Sequence, residues 1–408
     1  MTGDTQQTAG AGAASRIARG TPQYRRTSLA IFSCGFSIFA LLYCTQPVLP
    51  LFSEEFSVSP AQSSLALSLT TITMAVAMIF ASSLAEAVGR KPLMLGALVA
   101  SSLLTLLLAV STQWSQVLWL RALTGVTLSG MPAVALAYLG EEMEPQAVAP
   151  AVGLYIGGGA LGGMSGRLFV ALLADYGSWR LAMAFIAVTG LISAVIFWRA
   201  LAPSRHFKPR GFDFRELTLS LFRHFRNPGI VLLVIEGFLL LGGFMVLYNY
   251  IGFRLQAPPF NLSQSLAGLV FAVYPVGSLG SAMMSNLAVR FGRARMLIVS
   301  ILIMMVGLAL LMPDTLVATV LGLAVMTFGF FGAHAISSGF ATALAERDKA
   351  QASSLYLLFY YIGGGVAGSL GGIFWSANAW TGVALFSAAL MAGTLLAAII
   401  LARLAPAH

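Results

Sequence analysis

Charge is what this sequence has least of. Only 9% of its residues are Asp, Glu, Lys or Arg, against roughly a quarter in an ordinary soluble domain. That scarcity excludes a water-soluble globular chain. Cysteine is almost absent: Cys34 and Cys44 lie in one apolar run, and on a helix their separation is about 15 Å along the axis, too far for a disulfide. The redox compartment is left open. There is no Cys/His spacing for a metal, no phosphate loop, and no Ser, His and Asp set within the apolar runs. These gaps speak against an enzyme, a metal centre and a bound cofactor.

What is present is hydrophobic. Apolar side chains make up 58% of the chain, gathered into runs of about the 20 residues needed to cross a bilayer as a helix. The runs fall at 28–50, 63–84, 93–111, 115–138, 147–173 and 179–200, and then at 229–252, 265–287, 296–312, 316–340, 353–374 and 381–402. They predict an all-α membrane protein of twelve transmembrane helices in two six-helix bundles, 28–200 and 229–402. A flexible tail (1–27), a polar connection (201–228) and a short end (403–408) complete it. The tail carries Arg16, Arg19, Arg25 and Arg26 and no signal-peptide pattern.

The net charge of +9 does not point to nucleic acid, because its location decides otherwise. With the amino terminus inside, all Lys and Arg except Arg121, Arg167, Arg180 and Arg254 fall in cytoplasmic segments, 19 of 23. The positive-inside rule then sets both termini and the connection in the cytoplasm. The expected location is a bacterial-type inner membrane, with lipid as the surrounding partner and a monomer as the unit. In the connection, Phe212-Asp213-Phe214-Arg215-Glu216 reads as part of an amphipathic interfacial helix.

One glycine-rich stretch occurs twice, half a chain apart. Tyr155-Ile156-Gly157-Gly158-Gly159 followed by Gly162-Gly163 returns as Tyr361-Ile362-Gly363-Gly364-Gly365 followed by Gly368. Glycines three and four residues apart cover one helix face and let a second backbone approach closely in a bilayer. Each copy reads as a helix contact surface in a duplicated chain.

Between the second and third runs, Leu84-Ala85-Glu86-Ala87-Val88-Gly89-Arg90-Lys91 resembles the loop signature of the major facilitator superfamily, with Glu86 for the usual Asp and Ala87 for Arg. Leu287-Ala288-Val289-Arg290-Phe291-Gly292-Arg293 resembles it again, with Val289 where the acid stands. Pro47-Val48-Leu49-Pro50, Arg121 with Gly125, and Gly158-Gly159 with Gly162-Gly163 resemble signatures of its twelve-span drug:proton antiporter branch, although Gly159 replaces a usual Pro. Leu41-Leu42-Tyr43-Cys44 and Gln351-Ala352-Ser353-Ser354-Leu355-Tyr356 are similar to YnfM-like permeases of bacterial inner membranes.

The resemblance implies two halves around a midplane site and alternating access. It implies a secondary transporter that moves a small-molecule substrate against protons. Proton-coupled efflux of small amphipathic organic compounds or drugs is the first reading; a carrier of a small, possibly anionic, metabolite is the alternative. In the first turn Glu86, Gly89, Arg90 and Lys91, and in the second Arg290, Gly292 and Arg293, become a cytoplasmic gate, with Glu86 as its latch.

Glu236 is the one acid inside a run, and an ionisable group there defaults to a functional hypothesis. It is a proton-coupling candidate with His334 behind it, though it also reads as a structural pair or a snorkelling acid. Arg121 is expected to face the cavity, while Arg167 either does so or snorkels. Tyr43, Gln46, Asn249, Tyr274, Tyr356, Tyr360 and Tyr361 suit the wall of a site for an organic ligand, or an interfacial belt or helix seam.

Overall fold

A computed structural model describes residues 16–205, 223–345 and 349–404. The Phe212–Glu216 segment and Arg347 lie outside the described residues. Described residues form α1 (Pro22–Tyr43), α2 (Leu49–Glu55), α3 (Pro60–Val88), α4 (Arg90–Leu108), α5 (Trp114–Leu128), α6 (Pro132–Glu142), α7 (Pro145–Tyr176) and α8 (Trp179–Ala200). They continue as α9 (Pro228–Gln256), α10 (Gln264–Gly268), a 3-10 turn (Leu269–Val273), α11 (Tyr274–Phe291), α12 (Arg293–Leu310), α13 (Leu316–Leu344) and α14 (Lys349–Leu404). Among the described residues ten helices are long and apolar enough to cross a membrane.

Local chemistry explains the helix ends. Proline opens α1, α3, α7 and α9, where its missing N–H costs nothing and its φ is already helical. Thr21, Ser59 and Asn227 accept bonds from the first free N–H groups of α1, α3 and α9, as good N-caps do. The first helix starts before residue 28, because Thr21 and Pro22 cap it there. Ile17 is buried, and its N–H donates 2.8 Å to the Glu142 carbonyl while the Glu144 N–H returns 3.1 Å to its own. The end of the expected flexible tail is therefore docked on the α6–α7 turn.

Proline also breaks two expected runs. Residues 115–138 become α5 and α6, separated at Ser129–Met131 ahead of Pro132, and 265–287 tightens to a 3-10 turn ahead of Pro275. In each case the proline lacks the N–H that would carry the ladder through, and its ring crowds the carbonyl four residues back. The final two runs are one helical stretch with non-helical Asn378 and Ala379 inside it, so α14 has two arms.

The repeated glycines are where helices meet. A methyl group at Gly158 or Gly162 would strike the carbonyls of Phe32 or Phe36 on α1, and one at Gly159 would meet the Phe39 ring. Gly163 is bordered by Phe39 and Arg167. In the second copy Gly363 faces the Phe238 carbonyl and Gly364 faces Leu241 on α9, while Gly365 and Gly368 turn toward Ser68 of α3. Gly157 is the exception, with open space around it: at about 100° per residue it points away from the seam that Gly158 and Gly162 line. Outside, Val110, Trp119, Ile156, Ile373 and Leu385 are exposed, as suits a surface facing lipid tails.

Helices α3 and α14 pack against each other, as do α7 and the α10–α11 segment. These contacts join the two halves. Several lie at the end opposite the Gly89 and Gly292 turns. There Gln264 donates 2.8 Å to the Pro47 carbonyl, Ser265 N–H donates 3.2 Å to Asp175, and Gly372 abuts Ala61.

Candidate functional site

The two signature turns share a backbone form. Gly89 has φ +98° and Gly292 φ +91°, a region nearly closed to residues with a Cβ. Each turn sets basic residues at the start of the next helix. Arg90 grips Glu141 with two bonds, 3.2 Å from Nε and 2.7 Å from Nη2, the fork geometry that suits a carboxylate. Lys91 donates to the Trp198 and Leu201 carbonyls, 2.9 and 2.5 Å away, at the end of α8. The second turn has no such acid among the described residues: Arg290 sits 5.1 Å from the Phe291 ring and Arg293 6.0 Å from that of Phe340. Glu86 is half-buried and makes no hydrogen bond or ion pair among the described residues. The latch expected of Glu86 is thus not made in this structure, and the acid in use is Glu141.

Arg121 departs from expectation further. It is completely buried and bonds backbone instead of lining a cavity: Nε to the Ala66 carbonyl at 3.0 Å, Nη1 to Leu41 at 3.0 Å and Nη2 to Leu42 at 2.5 Å. The last carbonyls of a helix lack intrahelical partners and carry partial negative charge. Arg121 clasps that end of α1 to α3 and α5, and at 0% exposure it offers no surface to a substrate.

Arg167 is equally deep but differently placed. It is 1% exposed, so it does not snorkel. Its Nε donates 2.6 Å to Gln46 Oε1, and its Nη1 donates 2.7 Å to the Gly163 carbonyl one turn back. Nη2 has no partner. Gln46 passes the contact across the halves, donating 2.8 Å to Asn249 Oδ1 on α9. The guanidinium carbon lies 4.0 Å from the Tyr43 ring centre, 4.4 Å from Tyr274 and 5.3 Å from Phe271, within cation–π reach.

Below this cradle the tyrosines converge. Tyr360 is within electrostatic reach of Tyr43, Tyr274, Tyr356 and Tyr361. Tyr43, Tyr274, Tyr360 and Tyr361 each keep 7–8% of their surface accessible, so they border a narrow internal space. Toward the Gly89 and Gly292 turns, Glu236 is 1% exposed and neither carboxylate oxygen has a hydrogen-bond partner. Its neighbours are the Ser337 hydroxyl and the Tyr356 ring. Tyr356 OH lies 3.1 Å from His334 Nδ1, and His334 stacks on Tyr360 at 4.3 Å. Tyr356 thus contacts one proton-coupling candidate, His334, and stands within electrostatic reach of the other, Glu236. Glu236 and Asn249 share α9, and a helix rise of about 1.5 Å per residue sets them about 20 Å apart along it. Arg167 and Glu236 mark opposite ends of the aromatic centre.

The profile of the Major Facilitator Superfamily matches residues 31–257. The chain belongs to that superfamily. It is 42% identical to the inner membrane transport protein YnfM of Escherichia coli over 91% of this chain and 89% of that protein. It is 43% identical to YybF of Bacillus subtilis, an uncharacterized transporter of the same type, over 90% and 91%. A bacterial homolog of the human lysosomal transporter Spinster, solved inward-facing and unoccupied, shares the fold with a TM-score of 0.73 at 17% identity, covering 94% of this chain and 96% of that one. The protein is a multi-pass membrane protein and a secondary transporter of the major facilitator type.

Sequence reading missed three partners in this facilitator's site. Ser337 on α13 stands beside Glu236, Thr327 bonds Tyr248 at 2.6 Å, and Glu141 receives Arg90. Ser337 and Thr327 had no local signal, since a hydroxyl in an apolar helix ordinarily bonds its own backbone. Glu141 had one: an acid ending the fourth apolar run on the same side as a conspicuous arginine.

Proposed function

We propose that this transporter couples the movement of small amphipathic organic compounds to protons, exporting them by antiport through alternating access. The observation that carries the reading is Glu236, a buried acid without an ion pair, adjoined by Ser337 and Tyr356 and through Tyr356 by His334. A carboxyl left unpaired in an apolar site favours its neutral form, and access to water on one side releases the proton. Alternating that access between sides turns a gradient into transport. The aromatic centre suits flat organic cargo, and the first-run signature resembles that of exporters. Paired contacts at the far end, together with an unengaged Glu86, fit a state open toward the basic end.

The same reading makes the chain twelve-spanning, counting α5 with α6 as one crossing and the arms of α14 as two, with both termini in the cytoplasm of a bacterial-type inner membrane. Proteoliposomes with an imposed pH gradient and an internal pH dye provide the test. Wild-type protein should move protons when cargo is added, and Glu236→Gln should abolish that movement. A Glu236→Gln variant that still accumulates cargo with the wild-type pH dependence would overturn the coupling assignment.

A further inference from the structure

We propose that Arg167, with Tyr43 and Tyr274 as walls, is the receptor for a single anionic group on the cargo, so that the transporter selects monoanionic, flat organic molecules over neutral or cationic ones. The proposal rests on the reading that the aromatic centre is the cargo site. Arg167 carries a guanidinium buried at 1% exposure without an acid among the described residues that bridges it. Its two acceptors are a side-chain amide and a backbone carbonyl, both uncharged. A buried cation compensated only by dipoles and ring faces is incompletely neutralised, and the outstanding partner is an anion.

The geometry says where that anion goes. Nη2 is the guanidinium nitrogen without an acceptor, and the Tyr274 hydroxyl, whose ring lies against the same guanidinium, is also buried and unpartnered. A carboxylate has two oxygens with acceptor capacity for both donors. The rings of Tyr43, Tyr274 and Phe271 stand around the guanidinium, and aromatic faces of this kind suit a planar apolar body. Arg121 cannot add a second positive contact, because its nitrogens are bound to the Leu41, Leu42 and Ala66 carbonyls. One free cationic edge matches one negative charge, which separates this site from one built for di- or triphosphates. Arg167 comes from α7 and Tyr274 from α11, so the anion is held from both halves.

The test is equilibrium binding to the purified full-length protein in detergent, read by tryptophan fluorescence and thermal shift. The probes are benzoate and naphthoate, their neutral amides benzamide and naphthamide, and benzylamine as the cation. The expected result is carboxylate binding that exceeds amide binding on the order of 30-fold or more, the penalty for losing one partner of a buried charge pair, with no saturable benzylamine signal. Arg167→Gln should erase the carboxylate preference, and Arg167→Lys should retain it at reduced affinity. Tyr274→Phe, which removes only an unpartnered hydroxyl, should reduce it less and keeps the test decisive if Arg167→Gln does not fold. Equal binding of carboxylate and amide, no carboxylate binding, or an unchanged preference in Arg167→Gln or Tyr274→Phe would each overturn the proposal. Glu236→Gln distinguishes this failure from failure of proton coupling: it should lose proton-driven transport yet keep the carboxylate preference, since binding here needs no gradient.

Discussion

Arg121 and Arg167 are two buried arginines in the same half of the molecule, and they do opposite things. Around Arg121 each guanidinium nitrogen meets a backbone carbonyl. Around Arg167 one nitrogen stays empty, and the faces of Tyr43 and Tyr274 stand in for a counterion. The first arrangement is a fastener, because its donors satisfy carbonyls at the buried end of a helix. The second is a receptor, because its own fold leaves it short of one acceptor. Burial of a charge does not by itself mark a site; the unfilled hydrogen-bonding capacity does.

The largest effect that would sharpen this contrast is on Arg121. Arg121→Gln strands carbonyls at the end of α1 and should cost about 3 kcal/mol or more of stability, visible as a lost monodisperse peak after mild heating in detergent. If the variant is as stable as wild type, the fastener assignment is broken. Arg167→Met should behave in the reverse sense, since a buried charge without a counterion is costly to hold and its removal strands a single side-chain acceptor, Gln46 Oε1. Its melting temperature should hold or rise while transport disappears.

Glu236 resembles Arg167 in being unpaired, so Glu236→Gln should also leave stability within about 1 kcal/mol while eliminating proton-driven accumulation. A smaller change is expected of Tyr356→Phe, which removes the contact to His334 at a net cost near 1 kcal/mol. Proton-coupled turnover should slow without loss of carboxylate binding, and a variant with wild-type turnover would separate His334 from the path. Least of all, Glu86→Gln should leave the melting temperature unchanged, because Glu86 has no bond to lose among the described residues. Its effect should appear only in turnover, through the state in which the basic end closes.

Much of the architecture was legible because it is written in local chemistry. The glycine faces of α7 and α14 follow from residue spacing, and the turns at Gly89 and Gly292 follow from glycine between a helix end and a basic residue. The helix break before Pro132 was equally local and went unread, since hydropathy registers apolarity and not a missing N–H. The candidate site was half legible. Glu236, His334 and the tyrosines stood out as polar groups in apolar runs, but nothing in their order revealed that Tyr356 contacts His334 within electrostatic reach of Glu236. Arg121 looked like the stronger cavity cation, and its role was invisible because its partners at Leu41 and Leu42 lie about 80 residues away.

The sequence by itself determined that the chain crosses a membrane as helices, where those helices touch through glycine, and which end carries the positive charge. Hydropathy, helical period and backbone freedom are properties of neighbouring residues, so they survive being read along one dimension. Which polar group is satisfied and which is left open was decided only by the tertiary structure. A guanidinium cannot reveal from its own position whether three carbonyls or one empty direction will surround it; that depends on helices that meet it only after the halves have packed.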